Sequence, residues 1–218
     1  MAVAGHPAQR HRLSAGLRNR DRRLHPAASV IQVRLAAPRP AARVTVLVLG
    51  AAVLRALLLP AGDVLSSAAF GAGLLAIIWI ERAPSSSELR WGRGRALAAG
   101  LATGAVLLVP VVATPLSGRP LAAFWEWAAI AAVIATLEES AIRGALYRRW
   151  SEEAGPVIAT VAGAVVFALI HLPRYGLGAM PLDAAVGLAL GGLRALTGRV
   201  LPCAVAHTVA DWGAWFWA

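Results

Sequence analysis

The chain has 218 residues, is 58% hydrophobic and has a mean hydropathy of +0.65, too apolar for a soluble domain at about 45–50% and enough for roughly six to eight membrane helices. The net charge is +10, yet all 21 basic residues are arginine and nine of them lie between Arg10 and Arg43. A basic tail without interleaved aromatics, ahead of a membrane domain, argues against nucleic acid as a partner. The single cysteine, Cys203, excludes disulfide frameworks and cysteine-based zinc sites.

Residues 1–43 are rich in Arg, Pro, Ala and His and show no sustained hydrophobic period, which predicts a disordered cytoplasmic tail. No compact apolar core with a cleavage site stands near the N-terminus, so the first membrane span is expected to serve as an uncleaved targeting signal. The arginine-only usage, with abundant Ala, Gly and Pro, matches a GC-rich bacterial genome and a bacterial plasma membrane. Residues 44–116 read as N-terminal transmembrane helices: Val44 to Pro60, Val64 to Ile80 after a tight Ala61-Gly62-Asp63 turn, and Ala96 to Leu116. Arg55 interrupts the first and must snorkel or pair. A polar loop from Glu81 to Arg95 contains Ser85-Ser86-Ser87.

Residues 117–218 hold the chemistry. A fourth span begins near Leu121, a fifth covers Pro156 to Leu172, a sixth Leu182 to about Leu196, and a seventh Val200 to Trp217. The fold class expected is all-α, a polytopic bundle of about seven transmembrane helices with a four-helix catalytic core. The positive-inside rule puts the N-terminus in the cytoplasm, because Arg82, Arg90, Arg93, Arg95, Arg148, Arg149, Arg194 and Arg199 fall on the tail's side of the membrane while the other side shows only Arg119 and Arg174. Trp125, Trp127, Trp212, Trp215 and Trp217 would then mark the outer interface and Trp150 the inner one.

Three polar clusters stand on these last spans. In Glu138-Glu139-Ser140-Ala141-Ile142-Arg143, Glu139 and Arg143 are spaced i,i+4 with the acid first, the favourable order for an ion pair. Glu138 points about 100° away around the axis, which leaves it free to work as a general base. Phe167-x-x-x-His171 ends the fifth span, and His207-x-x-x-Asp211 places an imidazole and a carboxylate on one face of the seventh. Each cluster alone has a structural reading: a solvated ion pair, an interfacial histidine beside Pro173, a local i,i+4 lock. Together, Glu138, His171, His207 and Asp211 form two acids and two imidazoles on three helices, a set able to activate a water directly or through a divalent metal.

Glu-Glu-x-x-x-Arg, Phe-x-x-x-His and His-x-x-x-Asp in this order resemble the CPBP intramembrane proteases, which include the CAAX prenyl endopeptidases and the bacteriocin-processing Abi proteins. A weaker element, Gly187-Leu188-Ala189-Leu190-Gly191-Gly192 followed by Thr197 to Pro202, lies between them. The resemblance covers about Leu121 to Ala214. It implies an intramembrane endopeptidase that cleaves a membrane-associated peptide or protein substrate among membrane lipids. Glu138 would be the general base, assisted by His171; His207 and Asp211 would hold the water, a metal or the oxyanion. Glu139 and Arg143 would fix the helix, with Phe167 packed beside the site. Glu138, His171 and His207 are the ligands expected if the enzyme uses a divalent metal such as zinc.

Asp211 departs from the more typical asparagine, and an ionised Asp cannot donate a hydrogen bond to an oxyanion. The alternatives are a non-catalytic scaffold or immunity protein of the same family, and a small transporter or proton relay. One tension remains in the spacing. Counted from span ends at Tyr147, Pro156 and Val200, Glu138 and His207 lie roughly 10–14 Å deep and His171 roughly 22 Å, so a tilt or an early start of the fifth helix near Ser151 is required.

Overall fold

The computed structural model describes residues 39–82, 91–113, 115–116 and 118–217. The expected tail before residue 39 and the Ser85-Ser86-Ser87 loop lie outside these. The described residues contain seven α-helices and no strand: α1 Pro40–Leu58, α2 Asp63–Ile80, α3 Arg93–Leu107, α4 Leu121–Glu139, α5 Tyr147–Tyr175, α6 Met180–Thr197 and α7 Leu201–Trp217. The all-α expectation is met. Among the described residues, four stretches are long and apolar enough to cross a membrane, Pro40–Ala61, Asp63–Ile80, Leu121–Tyr175 and Leu177–Thr197. The chain is thus a multi-pass membrane protein by its helices. The expected count of seven passes is not established, since α3 has 15 residues and α7 has 17.

The 55-residue stretch folds back on itself. A π-helical segment, Ser140–Leu146, continues α4 into α5, and the chain reverses at Gly155, whose φ of +86° favours a residue without Cβ. Pro156 then starts the returning half of α5, where a missing N–H leaves no helical bond unmade. This turn resolves the tension in the spacing. Glu138 lies 17 residues before Gly155 and His171 lies 16 after it, so both stand roughly 24–26 Å from the turn. The rod does not end at Tyr147, the datum from which the depths were counted. Val200 packs beside Gly144, and from that level Glu138 and His207 are each roughly 9–11 Å along their helices.

Close helix crossings depend on small residues. In α6, a Cβ on Gly187 would stand 2.7 Å from the Ala164 Cα of α5, and one on Gly191 would stand 2.8 Å from Thr160 Cγ2. In α3, Gly100 and Gly104 make the same i,i+4 pair against Pro202, Ala206 and Val209 of α7. These are small-xxx-small interfaces, where backbone approach replaces the missing hydrophobic drive between helices in lipid. Gly187→Val must push α6 off α5 backbone, which no rotamer change can relieve. The expected loss is about 1–3 kcal/mol, read as a lower melting temperature in detergent; an unchanged melt would refute the tight crossing.

At the opposite end from the site, Glu81 gathers three arginines. Its Oε1 accepts from Arg43 Nη2, its Oε2 from Arg149 Nε at 2.9 Å, and its carbonyl oxygen from Arg148 Nη2. The clasp joins α1, α2 and the first half of α5, and Trp150 Nε1 donates to Thr45 Oγ1 at 3.1 Å beside it. Burial pushes the Glu81 carboxyl up, but the hydrogen bonds and charges of Arg149 and Arg43 outweigh it and hold the group below its ordinary 4.5. A depressed folded pKa gives stability that is present above 4.5 and lost as pH falls through the folded value. Melting in detergent should therefore begin to drop as the pH falls below 4.5, and the drop should be shallower in Glu81→Gln. Equal slopes would remove Glu81 from the acid limb.

Candidate active site

The two adjacent carboxylates face different neighbours because successive helical residues are about 100° apart. Glu139, fully buried, turns toward Arg143 and α7. Its Oε1 accepts from Arg143 Nη1 at 2.9 Å and from His207 Nδ1 at 3.0 Å. Arg143, 1% exposed, donates Nη2 to the carbonyl of Gly187 at 3.0 Å and lies 4.7 Å over the Phe167 ring. The Gly187 position therefore serves twice, admitting α5 backbone and presenting its carbonyl to the buried guanidinium.

Glu138, 3% exposed, turns toward α1, α5 and α7. Its Oε2 stands 3.9 Å from His171 Nε2 and 3.8 Å from His207 Nε2. The other nitrogen of each ring is already engaged. His171 Nδ1 lies 2.8 Å from the Phe167 carbonyl, which only accepts, so that nitrogen carries the proton. His207 Nδ1 donates to the Glu139 carboxylate. In their neutral forms both rings then turn a bare Nε2 lone pair toward a carboxylate oxygen. Three acceptors pointing at one another repel unless a donor or cation lies between them, such as the two protons of a water or a metal ion.

Asp211 Oδ1 is 3.7 Å from His207 Nε2, with its side chain 37% exposed, so it forms the rim of the cluster. Phe167 packs against both imidazoles, at 4.4 Å from His171 and 5.3 Å from His207 between ring centroids. Tyr175 stacks on the outer face of His171 at 5.8 Å. Beyond it, Arg174 reaches the Asp63 carboxylate at 3.0 and 3.4 Å, tying the end of α5 to the start of α2. All of the residues expected at the site, Glu138, Glu139, Arg143, Phe167, His171, His207 and Asp211, thus lie in one neighbourhood.

Arg55 joins them. Its Nη1 is 3.7 Å from Glu138 Oε1, its side chain is 13% exposed, and its guanidinium lies 4.9 Å over the Phe70 ring. The sequence shows Arg55 only as an arginine needing a partner. The signal that it belongs here is the general one, that an ionisable group inside an apolar span marks a site. Asp183 of α6 also approaches the cluster, with a buried Oδ2 lacking a protein partner; in the sequence it reads as an ordinary first-turn acid.

Glu138, His171 and His207 each offer one ligand atom within 4.8 Å of the others. A carboxylate and two imidazoles whose far nitrogens are hydrogen-bonded form a donor set that fits a divalent ion, with the carbonyl of Phe167 and the carboxylate of Glu139 orienting the rings.

Residues 120–213 match the family model described as type II CAAX prenyl endopeptidase Rce1-like. The match agrees with the resemblance to the CPBP proteases, and its limits run from the start of α4 through Asp211. No curated protein and no solved structure matches the chain. The matched residues hold α4 to α7, whereas Arg55 comes from α1, outside them.

Proposed function

We propose that the chain is an intramembrane endopeptidase that hydrolyses a peptide bond of a membrane-associated substrate. The observation that carries this reading is the convergence of Glu138 Oε2 with two Nε2 atoms whose rings are each anchored through Nδ1. A water held between them would have its proton directed at Glu138 and its lone pair free. Glu138 takes that proton as the water oxygen attacks the carbonyl carbon, and the carbonyl π pair moves to oxygen. Collapse of the tetrahedral species re-forms the carbonyl and breaks the C–N bond, and Glu138 returns the proton to the departing amine. One water is consumed and one acid and one amine are formed. His171 and His207 position the water; Glu139 and Arg143 hold His207 and the helix.

Glu138, His171 and His207 would hold the metal if one is used, and zinc suits the set. Such an ion would polarise the scissile carbonyl and make its bound water acidic near neutrality. The N-terminus is proposed to face the cytoplasm, a reading supported by the gathering of Arg43, Arg148 and Arg149 at one end of the bundle. Tyr175 and Asp211 both lie one helical turn further from that end than the imidazoles. On this orientation the substrate bond is reached from the bilayer or the outer face.

Comparing the peptide termini in membranes of cells expressing wild type and Glu138→Gln tests the proposal. New termini confined to the wild type are the expected result. Identical termini in both would leave a non-catalytic scaffold.

A further inference from the structure

Hydrolysis at Glu138 generates an alkoxide oxygen on the substrate, and a dry site must meet it with a donor. The donors that surround Glu138 are nearly all committed. His171 Nδ1–H is given to Phe167, His207 Nδ1–H to Glu139, and two Arg143 nitrogens to Glu139 and Gly187. Arg174 is given to Asp63, and an ionised Asp211 has nothing to donate. Arg55 differs. Its Nε, like that of Arg143, is buried without a hydrogen-bond partner in the protein, but unlike the Arg143 Nη atoms given to Glu139 and Gly187 its Nη1, at 3.7 Å, stops short of a hydrogen bond to Glu138.

We infer that Arg55 is a catalytic residue whose guanidinium receives the developing oxyanion of the substrate carbonyl. This rests on the endopeptidase reading of the same site. Two features prepare it for the task. The Phe70 ring under the guanidinium fixes its plane without using an N–H donor. Glu138 Oε1 beside it supplies the charge that lets a guanidinium lie within an apolar helix at all. When the water gives up its proton, Glu138 becomes neutral and the negative charge moves to the carbonyl oxygen. Arg55 is then released from one anion as a second one forms within reach, so it binds the transition state more tightly than the ground state. An unmet buried donor is unfavourable in the resting protein. That is the expected signature of a group arranged for a charge that exists only during the reaction.

The placement also gives the helices outside the matched residues a part in the chemistry. α1 would deliver the electrophile while α4, α5 and α7 deliver the base and the imidazoles. Removal of residues 44–58 would then cost the site a donor as well as a packing partner.

The test begins with the peptide termini that distinguish wild type from Glu138→Gln in whole membranes. A peptide spanning one such cleavage point is then given to the purified full-length chain. Arg55→Gln should lower kcat about 10²–10³-fold with little change in KM, the effect of removing one oxyanion donor. Millimolar methylguanidinium should restore part of kcat in Arg55→Gly and none in Glu138→Gln, a rescue that a merely structural arginine would not show. If Arg55→Gln fails to fold, Arg55→Met, whose thioether can replace the stem on Phe70, carries the same expectation. Wild-type kcat in a folded Arg55→Gln or Arg55→Met, or a loss confined to KM, overturns the inference and leaves the endopeptidase standing. Identical termini in wild type and Glu138→Gln overturn both.

Discussion

Glu138→Gln is expected to lower peptide-bond cleavage by about 10²–10⁴-fold in purified protein, the range for loss of a general base. The substitution keeps the shape of the side chain and removes its ability to take a proton. It also removes a buried carboxylate that sits 3.7 Å from Arg55 and 3.8–3.9 Å from two imidazoles. None of those contacts is a direct hydrogen bond, but a neutral amide leaves the Arg55 guanidinium without its counter-charge, so a loss of stability is expected, smaller than the about 3–5 kcal/mol of a fully buried, hydrogen-bonded pair. The measurement is therefore paired: cleavage of a peptide identified from membrane termini, and melting in detergent. Lost cleavage with a melt that stays cooperative and only modestly lowered supports Glu138 as base. Full cleavage in the variant would sink that assignment, and lost cleavage together with a collapsed melt would recast Glu138 as a structural anion.

Much of this site could be read from the chain alone, and the reasons differ from residue to residue. The Glu139–Arg143 pair follows from an i,i+4 spacing in the favourable order, a local property that survives any packing. The approach of His171 was less legible. Hydropathy ends the fourth span where Arg148 and Arg149 begin, but a helix does not stop where its residues become polar. The rod continues to Gly155, and only the position of that turn makes Glu138 and His171 level. Hydropathy locates a membrane; the turn locates the partners. Arg55 was visible as an anomaly with no addressee, because nothing in α1 specifies which helix it faces. Gly187 was visible as part of a glycine-rich run. That its carbonyl accepts from Arg143 is a consequence of the close α5–α6 crossing, a contact between segments 44 residues apart.

The second large effect is expected at Arg143, and it separates stability from activity. Arg143 and Glu139 are 1% and 0% exposed, so removing the cation alone strands a buried carboxylate and leaves the Gly187 carbonyl without its donor. Breaking such a pair from one side typically destabilises by about 3–5 kcal/mol. Arg143→Met should therefore lower the melting temperature in detergent sharply. The double variant Glu139→Gln, Arg143→Met removes the stranded charge while keeping most of the packed volume, including the stem against Phe167. Its stability should exceed that of Arg143→Met, with a coupling of about 0.5–3 kcal/mol between the two positions. Cleavage should not return with it. His207 Nδ1 takes its direction from Glu139 Oε1, and a neutral amide there is a weaker acceptor with a second, competing orientation. A double variant that recovers both stability and turnover would show that the pair only fills space. Recovery of stability alone would assign it to holding the imidazole whose Nε2 faces Glu138.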